Sequence, residues 1–421
     1  MLTAVVGINW GDEGKGRMVD LLSADYDIVC RYQGGNNAGH TVINDHGKIV
    51  LNLLPSGISR EGTVNVMGNG MVIDLEHLVH EIQSLRDKGI HIGPDNLKIS
   101  DKAVICLPWH KMQDIMEEDR LKDKKFGSTR RGIGPVYADK YMKKAIRMGD
   151  LFAPDKLPER VADLTEWKNL TVRGYGHEPV KAEDILAWLH EFGDPIKPYI
   201  TDVSDYLYDA ATAGENIMFE AQLGALRDIE FGIYPYTSSS CTLAGYATIG
   251  AGIPGLKLDK TIGIMKAYSS CVGEGPFTVE MFGDEAEALR RAGGEYGAAT
   301  GRPRRVGAFD IPASRYGVRM HGADCIALTK MDVLSYMDKI PVCVAYDING
   351  EITEKFPVGE RLNAAKPVFE YMEGFGDISG CRKPEDLPKA AMDYIRYLEA
   401  AVGCKIKYVS VGAGRDEYVE L

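Results

Sequence analysis

Basic charge is scarce in this chain: 49 Lys and Arg face 61 Asp and Glu among 421 residues, a formal net charge of −12. That balance excludes a general nucleic-acid or anionic-membrane binder, since both need basic surfaces. Paired cysteines are missing as well. The eight thiols, Cys30, Cys106, Cys241, Cys271, Cys325, Cys343, Cys381 and Cys404, are scattered, with no C-x-x-C pair and most inside apolar runs. The pattern argues against a disulfide framework or zinc site and suits reduced thiols in a cytosol. No apolar run approaches the ~20 residues of a membrane span. The opening "MLTAVVG" reads as a buried strand rather than an export signal, so the expected location is cytoplasmic, with no membrane and no nucleic acid as partner. Internal repeats, low-complexity tracts and a convincing linker are also lacking. The expectation is one domain, 1–421, with helical insertions at approximately 71–125 and 152–213.

What is present is an alternation of short β-branched runs with amphipathic stretches. "TAVVGI", "DIVCRY", "TVNVMGNG", "NIMFE", "TIGIMKAYS", "CIALTK", "PVCVAY" and "KIKYVSVG" read as strands, and residues 71–88, 181–192 and 387–402 carry helical spacing. Near-continuous apolar strands alternating with helices predict an α/β fold: a large, mostly parallel central sheet flanked by helices. Glycine-rich turns at 34–39, 68–70, 273–275 and 412–414 follow strands. In a parallel sheet those carboxyl ends are where ligands collect.

Four stretches carry chemistry. "GINWGDEGKGR", Gly7 to Arg17, has the glycines and lysine of a phosphate cradle, yet Asp12 and Glu13 sit inside it. It is not a Walker A loop, because Gly16 follows Lys15 where a metal-holding hydroxyl would stand. An aspartate can replace that hydroxyl: Asp12 could hold magnesium, whose charge offsets the repulsion from phosphate, or take a proton from a reacting group. "RYQGGNNAGHT" supplies flexible backbone and amide donors, with His40 its one group titrating near neutrality. "CIALTKMDVL" ends a strand in T-K-x-D, a guanine-reading pattern in which Asp332 accepts from the donors that adenine lacks. "TGRPRRVGAF" gathers Arg302, Arg304 and Arg305 as a fork-shaped match for carboxylates. By contrast, His77 and His80 in "EHLVHE" read as a solvated helix face rather than a metal pair.

The first two loops together, "GDEGKGR" and "QGGNNAGHT", resemble the adenylosuccinate synthetase family. "GSTRRGIGPVYADK", "DIEFGIYPYTSSS", "ATGRPRR", "TKMDVL" and "SVGAGR" agree in the same order, so the resemblance runs from residue 4 to residue 415. It implies a P-loop-like GTP-binding ligase architecture and the ligation of L-aspartate to inosine monophosphate (IMP), with GTP as co-substrate and Mg2+ as cofactor. By the resemblance GTP phosphorylates O6 of IMP, and the aspartate amine then displaces that phosphate. Asp12 and His40 match the catalytic pair, the first removing the N1 proton of IMP, the second stabilising charge on the transferred phosphoryl and O6. Asp12 and the Gly39 carbonyl match the metal ligands. GTP contacts map onto Gly11, Asp12, Glu13, Gly14, Lys15, Gly16, Arg17, Gly39, His40, Thr41, Arg304, Lys330, Met331, Asp332, Ser410, Val411 and Gly412. IMP contacts map onto Asp12, Glu13, Gly14, Lys15, Asn37, Ala38, Gly39, His40, Thr129, Lys143, Leu223, Ser238 and Arg302, with Lys143 reaching in from the second subunit of a homodimer. The loop for aspartate is Ala298, Ala299, Thr300, Gly301, Arg302, Pro303 and Arg304.

The chain departs from the family pattern around the purine. Leu223 stands where the family has a glutamine, with Gln222 one residue early; Ser238 replaces a threonine and Lys143 an arginine, while Asn9 and Arg17 replace glutamine and lysine. Altered purine contacts suggest a related viral branch that uses dGMP, but that branch often changes the aspartate matched by Asp12, and its presence here favours IMP. A GTP-binding switch protein would share T-K-x-D and leave His40 and the arginine cluster unused. A P-loop-like ligase acting on another carboxylate would leave the guanine-reading signal unexplained.

Overall fold

The computed structural model describes residues 1–44, 47–296, 301 and 303–421. Its frame is a ten-stranded sheet. In chain order the strands are β1 (Leu2–Gly7), β2 (Ile28–Arg31), β3 (Val64–Met67), β4 (Leu97–Ser100), β5 (Ile200–Thr201), β6 (Ile217–Glu220), β7 (Lys260–Lys266), β8 (Cys325–Thr329), β9 (Ile406–Ser410) and β10 (Tyr418–Glu420). Across the sheet they run β10-β9-β8-β7-β1-β6-β2-β3-β4-β5. Every neighbouring pair is parallel except β9 with β10. The expected α/β architecture is the one found.

Strands β1, β2 and β6 are buried along their whole length, as their unbroken apolar sequences require. Side chains alternate between two layers. Val5 packs with Met18 and Val19 of α1 (Lys15–Leu22), whereas Ala4 and Val6 face Tyr32, Phe219 and Ala244 on the other side. From β1 the chain works outward through β2, β3 and β4, returns to β6 beside β1, and departs the other way through β7, β8 and β9. The reversal occurs at β1, so the loop after β1 opens into the crevice at the switch point.

The helical spacings become Leu75–Arg86, Ala182–Gly193 and Lys389–Val402. The structure refines four readings. "PVCVAY" lies in Lys339–Ile348, which pairs with Phe309–Asp310, Glu351–Thr353 and Ala365–Glu373 in a separate four-stranded sheet. An apolar run predicts a buried strand but not which sheet buries it. For the same reason 273–275 does not end a central strand; it follows Ser269–Cys271, which pairs antiparallel with Arg305–Gly307. Both proposed insertion ranges also give a strand to the central sheet, β4 and β5. His77 is not merely solvated, since Nε2 lies 3.2 Å from Asn52 Oδ1, and His80 packs edge-on against Phe192. All cysteines but Cys241 are buried. Among the described residues no helix is long and apolar enough to cross a membrane.

Helix Ile311–His321 braces the exit of β1. A Cβ on Gly317 would come within 1.9 Å of the Ile8 carbonyl oxygen, so only glycine lets the helix approach this closely. His321, 5 % exposed, donates from Nε2 to the Gly7 carbonyl (2.9 Å) and accepts at Nδ1 from the Ala244 N–H (3.2 Å). A neutral ring satisfies both bonds; a proton on Nδ1 would leave the Ala244 N–H unpaired. Burial, opposed by the Gly7 carbonyl, holds this histidine down to about 4. Its stabilising contribution is therefore complete above its unfolded value of 6.5 and is lost as pH falls toward 4. Urea unfolding should show stability declining across that window by an amount on the order of 3 kcal/mol. In His321→Gln the decline should flatten, and an equal decline in the variant would contradict this assignment.

Candidate functional site

The loops after β1, β2, β6, β8 and β9 share the carboxyl edge of the sheet. In the first, Gly11, Asp12 and Gly14 all have positive φ (95°, 58° and 90°), the left-handed region that Gly adopts freely and Asp tolerates. This twist sends adjacent carboxylates in different directions. Glu13 turns inward, 2 % exposed, and accepts from the N–H groups of Gly11 (2.7 Å) and Asn9 (3.2 Å) and from Lys15 Nζ (2.8 Å). Asp12 stays 29 % exposed, and its Oδ2 lies 3.4 Å from Arg304 Nη2. Glu13 and Lys15 thus fasten the loop against itself, while Asp12 is presented beside the opening of α1.

His40 begins a hairpin, His40–Asn44 with Gly47–Leu51, and packs on the same helix start: a Cβ on Gly16 would lie 2.6 Å from the His40 Cβ. Its Nδ1 is 2.5 Å from Glu220 Oε1. Glu220, fully buried at the end of β6, also accepts from the Ser56 hydroxyl (2.5 Å) and backbone N–H (2.8 Å). Burial alone would raise the Glu220 carboxyl, but His40, Arg31 and Ser56 outweigh it and hold it below its ordinary value. An ionised Glu220 fixes Nδ1–H as the donor and leaves Nε2 as the ring's remaining hydrogen-bonding atom. Glu220 is not among the residues expected from sequence, although a carboxylate closing the apolar run "NIMFE" is a legible signal.

Leu223, φ 62°, backs onto the first loop, with its Cα 3.2 Å from where a Gly11 Cβ would be. Gln222 does not reach round to replace the missing glutamine. Its buried amide donates to the Gly35 carbonyl (2.9 Å) and accepts from the Gly35 N–H (3.3 Å). In that second loop Asn37 Oδ1 accepts from the Gly35 N–H, and the Ala38 carbonyl accepts from Asn52. Gly39 and Thr41 are exposed.

At the end of β8, Thr329 Oγ1 donates to the Glu13 carbonyl (2.6 Å), tying T-K-x-D to the first loop. Met331 is buried. Among the described residues Asp332 Oδ1 is buried without a hydrogen-bond partner. Burial pushes this carboxyl above its ordinary range, with Arg17 and Lys330 opposing. Arg17 reaches from α1 to the Ser410–Gly414 turn, donating to Ser410 Oγ and to the carbonyls of Gly412 and Gly414 (2.6 Å each); Val411 between them is buried. Arg304 joins Glu295 (2.9 Å), as does Lys330 (2.9 Å). Arg305 is not available to a ligand in this arrangement, since it forks onto Glu280 (2.9 and 3.0 Å from Nε).

The remaining candidates are less gathered. Thr129 is exposed beside Ser128, whose hydroxyl donates to Asp114 (2.5 Å). Ser238 lies 3.4 Å from Ser240, which donates to Gln33. Lys143, φ 62°, is exposed just beyond helix Ile133–Tyr141. Gly301 and Pro303 precede Arg304, and Pro303 bridges to Tyr296; Ala298, Ala299, Thr300 and Arg302 lie outside the described residues.

Fold and site together define an α/β protein that gathers glycine-rich loops, a paired histidine and a carboxylate with one buried oxygen unpartnered among the described residues at the switch point of a parallel sheet. The family model "Adenylosuccinate synthetase" matches residues 4–419. The adenylosuccinate synthetase of Caldanaerobacter subterraneus subsp. tengcongensis is 44 % identical over 100 % of this chain and 99 % of that protein. That of Streptococcus gordonii is 43 % identical over 98 % of this chain and 96 % of that protein. A solved structure of fully ligated adenylosuccinate synthetase from Plasmodium falciparum aligns with TM-score 0.92 at 36 % identity, covering 100 % of this chain and 99 % of that one. The succinoaminodeoxyadenylate synthetase of cyanophage S-2L, bound to dGMP and dATP, aligns at TM-score 0.61 and 18 % identity, over 100 % of this chain and 95 % of that one, a likeness of fold. This chain belongs to the adenylosuccinate synthetase family, ligases that form a carbon–nitrogen bond in purine biosynthesis.

The Glu220–His40 pair yields a direct test. Glu220→Gln keeps the shape but removes the charge that fixes the ring, and ligase turnover should fall by roughly tenfold or more. Wild-type turnover in a folded Glu220→Gln protein would show that the pair is only structural.

Proposed function

We propose that the chain joins L-aspartate to IMP with GTP and Mg2+, through a 6-phosphoryl-IMP intermediate, releasing GDP and phosphate. The observation that carries this reading is the meeting of Asp12, Lys15 and His40 at the start of α1, beside T-K-x-D. Asp12 takes the N1 proton of IMP, and the N–H bonding pair moves into the ring so that O6 attacks the γ-phosphorus as the bond to GDP breaks. His40, oriented by Glu220, donates to the charge that develops on the phosphoryl group and O6. The aspartate amine then attacks C6, and the C6–O bond breaks with phosphate leaving. Arg304 receives an aspartate carboxylate, and Arg302 lies in the same stretch of sequence.

Asp332 reads guanine. Its buried, unpartnered Oδ1 supports this, because N1–H or the 2-amino group of guanine would satisfy it and adenine would not. Asp12 and the Gly39 carbonyl would hold magnesium, as the one or two protein oxygens such an ion takes beside substrate phosphates, and among the described residues no cluster of three ligating side chains offers an all-protein cage instead. When bound, the ion neutralises phosphoryl charge. Exposed Tyr141 and Met142 (72 % and 59 %) immediately precede Lys143 and support a homodimer in which Lys143 serves the partner's site. A single-chain mass by light scattering at assay concentration would contradict it.

Phosphate release should require GTP, IMP and aspartate together, and omission of any one should abolish it. Asp12→Ala should abolish turnover with the fold intact, and Asp332→Asn should raise the KM for GTP by about tenfold or more. Release from GTP alone would favour a switch protein, and turnover with dGMP but not IMP would move the chain to the dGMP-using branch.

A further inference from the structure

Glu295 is fully buried and belongs to no loop assigned above. It follows helix Gly283–Gly293 through Gly294, whose φ of 59° turns the chain back toward the sheet. Its Oε1 accepts from Lys266 Nζ (2.7 Å), Lys330 Nζ (2.9 Å) and the Tyr268 hydroxyl (2.5 Å), and its Oε2 from Arg304 Nη1 (2.9 Å). The Arg304 N–H also donates to the Glu295 carbonyl (2.9 Å), and Lys330 Nζ donates to the Gly293 carbonyl (2.7 Å). Burial would raise this carboxyl, yet three cations hold it far below the carboxylate range. Lys266 is driven down to about 8 by its own burial despite Glu295.

Each oxygen of Glu295 serves a different part of the site. Oε1 fixes the lysine of T-K-x-D, and Oε2 fixes the arginine that stands 3.4 Å from Asp12. Burying a carboxylate costs several kcal/mol before any pairing, and removing this one would leave the buried Lys266 ammonium without its partner, so Glu295 and its donors hold one another in place. We propose that Glu295 is a positioning residue that anchors Lys330, the GTP-side lysine of T-K-x-D, and the aspartate-binding Arg304 to one point, so that recognition of nucleotide and amino acid depend on the same carboxylate. The inference rests on the reading of Lys330 and Arg304 given above.

Glu295→Gln tests it in the intact protein, with KM measured for each substrate in turn. The KM for GTP and that for aspartate should each rise by about tenfold or more, while the KM for IMP stays within about twofold and Glu295→Asp recovers part of the loss. Unchanged KM values for GTP and aspartate, or an equal rise in all three, would overturn the anchor. Should Glu295→Gln fail to fold, a cycle of Lys330→Met and Arg304→Met replaces it. Their effects on kcat/KM for aspartate should be non-additive by about fivefold or more, and additivity would overturn the proposal. Wild-type protein that uses ATP as well as GTP would instead overturn the reading of T-K-x-D through Asp332, a result separate from the KM pattern by which the anchor stands or falls.

Discussion

The site depends on negative charge being accommodated inside a loop to which the proposed function assigns an anion. Three backbone and side-chain donors converge on Glu13, so the loop carries its own counter-charge. Without it, Lys15 would be a buried ammonium with no partner at the start of a helix whose dipole is already positive. The left-handed turn at Asp12 then does the second half of the task, turning one carboxylate in and the next one out. Adjacent acidic residues therefore have separate duties: one holds the loop's shape, the other faces the crevice.

The same solution recurs at the other buried charges. Glu220 holds His40 from behind, and Glu295 holds Lys330 and Arg304. In each case a buried carboxylate orients a group that the proposed function brings to a ligand. The outward-facing groups keep limited exposure, 18 % for Arg304, 29 % for Asp12 and 31 % for Lys330, while their carboxylate partners stay dry. Low dielectric around the partners strengthens their grip and makes loss of any one costly.

Much of the frame was legible in sequence because parallel strands buried on both faces must be continuously apolar. "TAVVGI", "DIVCRY" and "NIMFE" could hardly be anything else, and the glycine turns after them marked the ligand edge. "PVCVAY" was equally apolar and joined a different sheet, since apolarity specifies burial but not neighbours. Asp12, His40 and Asp332 stood out because titratable groups among glycines or at strand ends have few structural uses. Glu295 gave no such signal: "GGEYG" says nothing of Lys266 or Lys330, which arrive from two other strand ends. Nor could spacing show that Gln222 turns to the Gly35 backbone instead of toward the purine. Partnerships across 29, 35 or 187 residues belong to topology, and sequence reveals only their individual members.

The claim at the centre of this account is that the carboxylate at position 12 frees O6 of IMP to become the phosphoryl acceptor. IMP isotopically labelled at its C6 oxygen, turned over with GTP and aspartate, tests it most directly through the mass of the released phosphate. The account predicts that the label leaves the purine and appears in that phosphate, once per turnover. Phosphate that carries only unlabelled oxygen would contradict it.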